Sequence, residues 1–308
     1  MIEFLWLGVF VASLLVVVKS AGWFIDAASD LARKLGMSEF LIGITLVSIG
    51  TSLPELTTSL FSILEGEASL VVDNILGSNV ANILLIIGVS AIVAKKIIIK
   101  RDLVDIDLPL LAISQVLFLF SIWDKEVTLF EGVLALALYG IYLHYSAHLH
   151  NQHRIKPQYV RHSVFFLVSK ILVTLVVLLV SANYTIKGLL GSAEAFGVSF
   201  SVLGLTALAF GTSLPELTVS IIAAMRRKYE LSIGNVLGSN IFNSAGVIGI
   251  LSLFNPLPLS APTFSIGIPF FIAATFLCIL SSISRKIYLW EGWMYLIVYV
   301  LFVVQLFR

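Results

Sequence analysis

Charge is scarce in this 308-residue chain: 12% of its residues are Asp, Glu, Lys or Arg, against 59% that are hydrophobic. Soluble domains carry about 25% charged residues, so a water-soluble protein of this size could not cover its surface. Lysine and arginine (19) barely outnumber aspartate and glutamate (18). There is no basic field to attract nucleic acid, and the apolar content excludes a disordered chain. Cysteine is almost absent too. A single Cys278 permits neither an intrachain disulfide nor a thiolate metal cluster. These absences leave an all-α polytopic membrane protein.

What the chain does have is apolar runs of about 20 residues, the length that spans a bilayer. Ten are predicted: 3–25, 38–64, 69–93, 103–122, 127–147, 163–189, 199–225, 231–254, 263–283 and 287–307. The first has no basic leader and no small-residue cleavage site, so it reads as a retained helix. The runs are continuous rather than alternating, which excludes a β-barrel. Fourteen of the 19 basic residues fall in alternate loops, among them Arg33, Lys95, Arg154, Arg226 and Arg285. The opposite loops and tail hold only Lys125 and Arg308. The positive-inside rule makes the rich face cytoplasmic and puts both termini outside.

Residues 1–147 and 163–308 thus form two five-helix halves joined by a polar linker, 148–162. All five histidines, His144, His148, His150, His153 and His162, lie in or beside that linker. His144 and His148 share a helix face, so metal or pH sensing is one reading. A plain solvated linker is the other, since no carboxylate sits among them to complete a site.

The halves match each other at an offset of 161 residues. GTSLPELT occurs at 50–57 and at 211–218, and NILGSNVAN (74–82) faces NVLGSNIFN (235–243). From Ser20 to Ser90 about 25 of about 71 aligned positions are identical. Glu131-Gly132 and Glu291-Gly292 echo one another at the openings of spans five and ten. Five helices per half is an odd number, so the second copy enters the membrane inverted. Inverted repeats are an architecture of secondary transporters, with the binding site at the midplane where the copies meet.

The best-matched segments are polar, inside apolar spans. Pro54 and Pro215 lack an N–H and should kink or unwind spans two and seven, and irregular backbone at that depth belongs beside a cavity or within protein. Glu55 and Glu216 follow directly. A charge at the bilayer centre costs about 3 kcal/mol, so such a pair points to a cation site. With hydroxyls from Thr51, Ser52, Thr212 and Ser213 it offers the all-oxygen shell that hard cations such as Ca²⁺ take. Asn74, Ser78 and Asn82 recur every four residues, as do Asn235, Ser239 and Asn243, so each trio shares one helix face. They serve as ligands or as small and amide residues that pack helices together. Asp73 breaks the symmetry, its counterpart being Gly234. It reads as a third carboxylate near the site, a proton acceptor, or a residue of the outer mouth. Asp26, Asp30, Asp102, Asp105 and Asp107 sit at span ends and read as interfacial.

On the paired GTSLPE and GNxxGSNxxN segments, the chain resembles the cation/calcium exchanger superfamily, specifically its sodium/calcium exchanger branch in prokaryotes. The resemblance implies ten helices in two inverted α-repeats (motifs 38–93 and 199–254). It also implies antiport of Ca²⁺ against Na⁺ by alternating access, with spans two, three, seven and eight around the ions and spans one and six sliding past them. Carried over by matching position, the ligands would be Glu55, Glu216, Thr51, Thr212, Ser52, Ser213, Ser78, Ser239, Asn82 and Asn243, plus the carbonyls of Ser48 and Ala209. No cofactor is implied, and the protein is expected to work as a monomer in the plasma membrane, with the bilayer and the transported ions as its partners. Two features depart from the family pattern. Asp73 stands at a glycine position, and Asn243 stands where some relatives, including potassium-dependent ones, carry aspartate. An amide there leaves two formal negative charges, enough for one Ca²⁺, and argues against K⁺ co-transport. The short linker leaves no room for a Ca²⁺-sensing regulatory domain.

H⁺-coupled exchange is the nearest alternative, because two buried glutamates can carry protons, although proton-coupled relatives usually show a GNxxE-type motif. A passive cation channel would share the same site without coupled counter-flow. An intramembrane hydrolase using Ser52 or Ser213 would need a base beside the serine, and every histidine lies far off in sequence.

Overall fold

The structure is a computed structural model and describes residues 2–99, 107–152, 156–195 and 211–306. These residues are mostly helical. The helices follow the apolar runs in order: α1 (Ile2–Leu35), α2 (Glu39–Leu64), α3 (Ser69–Ala94), α4 (Leu108–Ser121), α5 (Leu129–Gln152), α6 (Val164–Ala195), α7 (Leu214–Met225), α8 (229–252), α9 (Thr263–Ile283) and α10 (Leu289–Leu306). Among the described residues, seven are long and apolar enough to cross a membrane: α1, α2, α3, α5, α6, α9 and α10. α4 and α7 are shorter apolar helices, and residues 103–106 and 199–210 of the corresponding runs lie outside the described residues. α8 carries Ser232, Asn235, Ser239, Asn240, Asn243 and Ser244, which lower its hydropathy and are all buried.

Three helices outrun their apolar segments, α6 reaching Ala195 beyond residue 189. α1 continues from residue 25 to Leu35, because the polar groups there find partners. Arg226 Nη1 lies 2.7 Å from Asp26 Oδ1, Lys228 Nζ donates to Ser29 Oγ at 2.8 Å, and Arg33 pairs with Asp30. α5 runs through Gln152, into the expected linker. Asp107 stands at the N-cap of α4 and is 7% exposed; Asp102 and Asp105 lie outside the described residues.

Among the described residues, four short strands staple the ends of the bundle. β1 (Lys96–Ile98), before α4, pairs antiparallel with β4 (Lys286–Tyr288), between α9 and α10. β2 (Glu126–Val127), between α4 and α5, pairs with β3 (Leu257–Pro258), between α8 and α9. In both pairs one buried apolar couple faces inward, Ile97 with Ile287 and Val127 with Leu257.

The Glu-Gly echo acquires a structural meaning at the next helix starts. Glu131 accepts the Thr128 N–H at 2.8 Å and Glu291 accepts the Tyr288 N–H at 2.7 Å. Each caps a helix N-terminus, where the first N–H groups lack partners. The glycines that follow let helices cross at backbone distance. A Cβ on Gly292 would lie 2.7 Å from the Gly88 carbonyl, and one on Gly249 would lie 2.9 Å from the Gly132 carbonyl. So α3 crosses α10 and α8 crosses α5, each half closing on a helix of the other.

Two apolar clusters result, and the one that holds α1 and α6 also takes in Ile42 and Val47 of α2, Val219 and Ala223 of α7 and Leu231 of α8. α1 and α6 lie against each other along their lengths, with Phe24, Ile25, Leu167 and Leu178 in the seam. The second apolar cluster joins α3, α4, α5, α8, α9 and α10. The loops predicted to be basic gather at one end. Gln158 N donates to Arg33 O and Lys34 Nζ to Val160 O, and a cavity of about 410 Å³ there is lined by Arg33, Ile98, Lys156 and Arg227. The described histidines are peripheral: His144 and His148 are exposed and His162 stacks on Phe166 at 4.5 Å. The side chains of His150 and His153 lie outside the described residues, and among the described residues no three His, Cys, Asp or Glu side chains cluster as a metal site.

Candidate cation site

The prolines reshape α2 and α7 one step earlier than their positions suggest. The helical path breaks at Ser52 (φ −87°, ψ 10°) and at Ser213 (φ −85°, ψ 6°), with Pro54 and Pro215 in the first turn of the helix that follows. Proline is at ease there, because an N–H at a helix start would be unbonded anyway. The break is a kink rather than an unwound stretch, since Ser52 N still reaches Ser48 O at 3.0 Å and Leu217 N reaches Ser213 O at 3.0 Å. Glu55 and Glu216 fall in those first turns, where the helix dipole favours negative charge.

Both carboxylates are completely buried, and so are Asn82, Asn243, Thr51, Ser52 and Ser239. The two halves bond across each other at the centre. Ser52 Oγ donates to Glu216 Oε1 at 2.9 Å, and Ser213 Oγ donates to Glu55 Oε1 at 3.4 Å. Ser78 Oγ also donates to Glu55 Oε1 at 3.4 Å and lies 3.5 Å from Thr212 Oγ1. Ser48 presents its carbonyl to Thr51 Oγ1 at 3.3 Å and to Ser239 Oγ at 3.5 Å. Eleven of the twelve sequence-derived ligands are therefore buried; Ala209 lies outside the described residues.

Four buried oxygens of these residues have no hydrogen-bond partner: Glu55 Oε2, Glu216 Oε2, Asn82 Oδ1 and Asn243 Oδ1. Leaving such groups unpaired in a low-dielectric interior is costly. They form two sequence-matched pairs, one carboxylate and one amide from each half. Two carboxylates and two amide oxygens, with hydroxyls and a carbonyl beside them, make a hard-oxygen donor set of charge −2. Such a set neutralises one divalent cation while keeping the charge count low, which limits how tightly the ion is held.

The amides are aimed by residues that sequence reasoning passed over. Asn82 Nδ2 donates to Asn240 Oδ1 at 3.0 Å, and Asn243 Nδ2 donates to Asn79 Oδ1 at 3.2 Å. With the NH₂ groups so engaged, the two Oδ1 atoms are the ones left unbonded. Asn79 and Asn240 directly follow Ser78 and Ser239 in the repeated Gly-Ser-Asn. Backbone geometry was missed as well. π-helical turns, a form often found at functional sites, occupy Gly43–Val47 just before Ser48, Asn82–Ile87 from the amide itself, and Phe242–Val247 around Asn243.

Asn74 and Asn235 face the neighbouring helix. Asn74 Nδ2 donates to Ser59 Oγ at 3.1 Å, Asn235 Nδ2 donates to Ser220 Oγ at 2.9 Å, and Asn235 Oδ1 also accepts Thr51 Oγ1 at 3.1 Å. The helix-joining reading describes their geometry. Asp73 accepts Ser260 Oγ at 3.0 Å and so ties α3 to the start of α9.

A family model described as sodium/calcium exchanger protein matches the chain twice, over residues 5–147 and 166–308. The sodium/calcium exchanger MaX1 of Methanosarcina acetivorans is 32% identical, with 96% of each chain covered. The inner membrane protein YrbG of Escherichia coli is 34% identical, over 80% of this chain and 79% of the relative. Among solved structures, the sodium-calcium exchanger NCX_Mj soaked with 100 mM Na⁺ and 10 mM Sr²⁺ superposes with a TM-score of 0.86 at 31% identity, covering 99% of both chains.

Proposed function

Because the chain belongs to the sodium/calcium exchanger protein family, whose members are exchangers rather than enzymes, we propose that this cation/Ca²⁺ antiporter moves Ca²⁺ in exchange for Na⁺ by alternating access. The observation that carries the reading is the set of four partnerless buried oxygens, Glu55 Oε2, Glu216 Oε2, Asn82 Oδ1 and Asn243 Oδ1. Their net charge of −2 suits one Ca²⁺, or Na⁺ ions sharing the same ligands. Shared ligands make the two occupancies mutually exclusive, and that exclusion turns binding into exchange. The remaining ligands are Thr51, Ser52, Ser78, Thr212, Ser213, Ser239 and the carbonyls of Ser48 and Ala209.

Ten spanning helices in two inverted halves, 1–147 and 163–308, with 148–162 as cytoplasmic linker and both termini outside, complete the proposal. The double family match and the paired staples, β1 with β4 and β2 with β3, support that symmetry. The gathering of the basic loops at one end supports the orientation. α1 and α6, packed mainly on each other, form the body that slides past the site. A single chain suffices, since both half-sites come from it.

Proton coupling is the second reading, favoured by the same oxygens: each unpartnered carboxylate oxygen accepts a proton as readily as a metal ion. The experiment is flux in reconstituted vesicles with Na⁺, K⁺ and pH gradients imposed one at a time. ⁴⁵Ca²⁺ uptake driven by outward Na⁺ alone is the expected result. Uptake driven by a pH gradient in Na⁺-free buffer would replace Na⁺ by H⁺ as the counter-ion, and uptake independent of every gradient would indicate a channel.

A further inference from the structure

The two central amides are held by different means, and the difference ends at one residue outside the repeated segments, Gln115 on α4. Asn82 is aimed by Asn240, and the Nδ2 of Asn240 is anchored directly on backbone, donating to Asn79 O at 3.4 Å. Asn243 is aimed by Asn79, and the Nδ2 of Asn79 goes instead to a hydroxyl, Ser244 Oγ, at 2.7 Å. A hydroxyl has one proton to give and can turn either way. Ser244 gives its proton to Gln115 Oε1 at 3.1 Å, so its lone pairs face Asn79. Gln115 is turned in its own right, with Nε2 donating to Ser114 Oγ at 3.2 Å and to Asn240 O at 3.4 Å. Every member of the relay is at most 2% exposed, so water does not substitute for a missing partner. The matched position of Ser244 in the first half is Ile83, and among the described residues no such relay runs there.

We infer that Gln115 is a positioning residue for the cation site: through Ser244 and Asn79 it fixes which atom of the Asn243 amide is left unbonded for the ion. The donor–acceptor direction passes along the chain. Gln115 offers an oxygen, so Ser244 donates outward. Asn79 must then present NH₂ to Ser244 and oxygen to Asn243, which leaves the Asn243 oxygen for the ion. Removing the acceptor at 115 frees the Ser244 proton to point at Asn79. That amide then turns, and Asn243 meets the site with NH₂, which repels a cation. The site loses one of its four unpartnered oxygens without any ligand being mutated.

The inference rests on the proposed cation site, and equilibrium Ca²⁺ binding to the purified protein in detergent tests it without requiring transport or Na⁺ coupling. Gln115→Met keeps the length and removes the acceptor; Gln115→Glu keeps an acceptor oxygen. Met should weaken Ca²⁺ binding by about tenfold or more, the scale of losses when partners that orient ligands are removed, while Glu stays closer to wild type. A merely structural Gln115 gives the opposite order, because apolar Met suits a buried site better than a carboxyl group. Ser244→Ala, which cuts the relay one link nearer the site, should reproduce the loss and serves where Gln115→Met does not fold. In an Asn243→Ala background Gln115→Met should change the binding constant no further. Additive losses, or Met binding as well as Glu, would overturn the assignment. Loss of Ca²⁺ binding in the wild-type protein itself would instead remove the underlying site.

Discussion

Asn82 on α3 gives its amide N–H to Oδ1 of Asn240 on α8 at 3.0 Å, and Asn243 on α8 returns the same bond to Asn79 on α3 at 3.2 Å. Proposed ligand and orienting residue thus alternate between the helices. Asn240→Ala or Asn79→Ala should leave one amide free to turn and weaken Ca²⁺ binding by about 10–100-fold. Calorimetric titration of the purified variants reads this directly; unchanged affinity in both would mean the pairs only pack helices.

Glu55→Gln or Glu216→Gln removes one of the two buried charges while keeping the shape. Either change should abolish Na⁺-gradient-driven ⁴⁵Ca²⁺ uptake. A ligand that binds only the folded state adds about 2.7 kcal/mol of stability at 100 times its dissociation constant. Ca²⁺ should therefore raise the melting temperature of the wild type and leave that of either variant where chelator puts it. Normal exchange by a Gln variant would remove the proposed centre.

The two serine–carboxylate bonds are unequal, 2.9 Å for Ser52 to Glu216 and 3.4 Å for Ser213 to Glu55. Losing a hydrogen bond to a charged group costs about 1.5–3 kcal/mol, and the shorter bond has more to lose. Ser52→Ala should therefore reduce Ca²⁺ affinity more than Ser213→Ala. Uptake measured against external Ca²⁺ concentration compares them; equal effects would contradict the asymmetry.

The backbone-distance crossings give a prediction for stability. A Cβ on Gly249 would lie 2.6 Å from Leu136 Cγ as well as near the Gly132 carbonyl. Gly249→Ala and Gly292→Ala should each destabilise by about 1–3 kcal/mol, the usual cost of overpacking. Gly140→Ala on the exposed face of α5 meets nothing within 4 Å, and should be neutral or slightly stabilising through better helix propensity. Thermal unfolding in detergent ranks the three.

The elements that could be read from sequence are those whose cost or repetition shows in one dimension. A glutamate inside an apolar run is conspicuous because burying its charge is expensive, and GTSLPELT is conspicuous because it occurs twice. The echo of Glu131-Gly132 and Glu291-Gly292 was visible, but not its use as helix cap and crossing point. The stripe Asn74, Ser78, Asn82 was correct as a helix face, yet that face meets two neighbours. Asn74 reaches Ser59 on α2, while Asn82 reaches Asn240 on α8.

By itself the sequence determined that the chain is a membrane protein of apolar helices, with GTSLPELT and the Gly-Ser-Asn segment repeated at an offset of 161 residues and one carboxylate of each copy left deep in its apolar runs. The scarcity of charge settles the first point, because too few polar groups exist to face water. Only the tertiary structure decided which atoms of the site lack partners. Asn79, Asn82, Asn240 and Asn243 are the same residue type within two short segments, and their roles separate only when α3 crosses α8. Crossing angle and side-chain hydrogen bonding then choose which amide turns its oxygen inward. Gln115 had no signal in the sequence, since one glutamine in an apolar run becomes informative only when its partner on α8 is known.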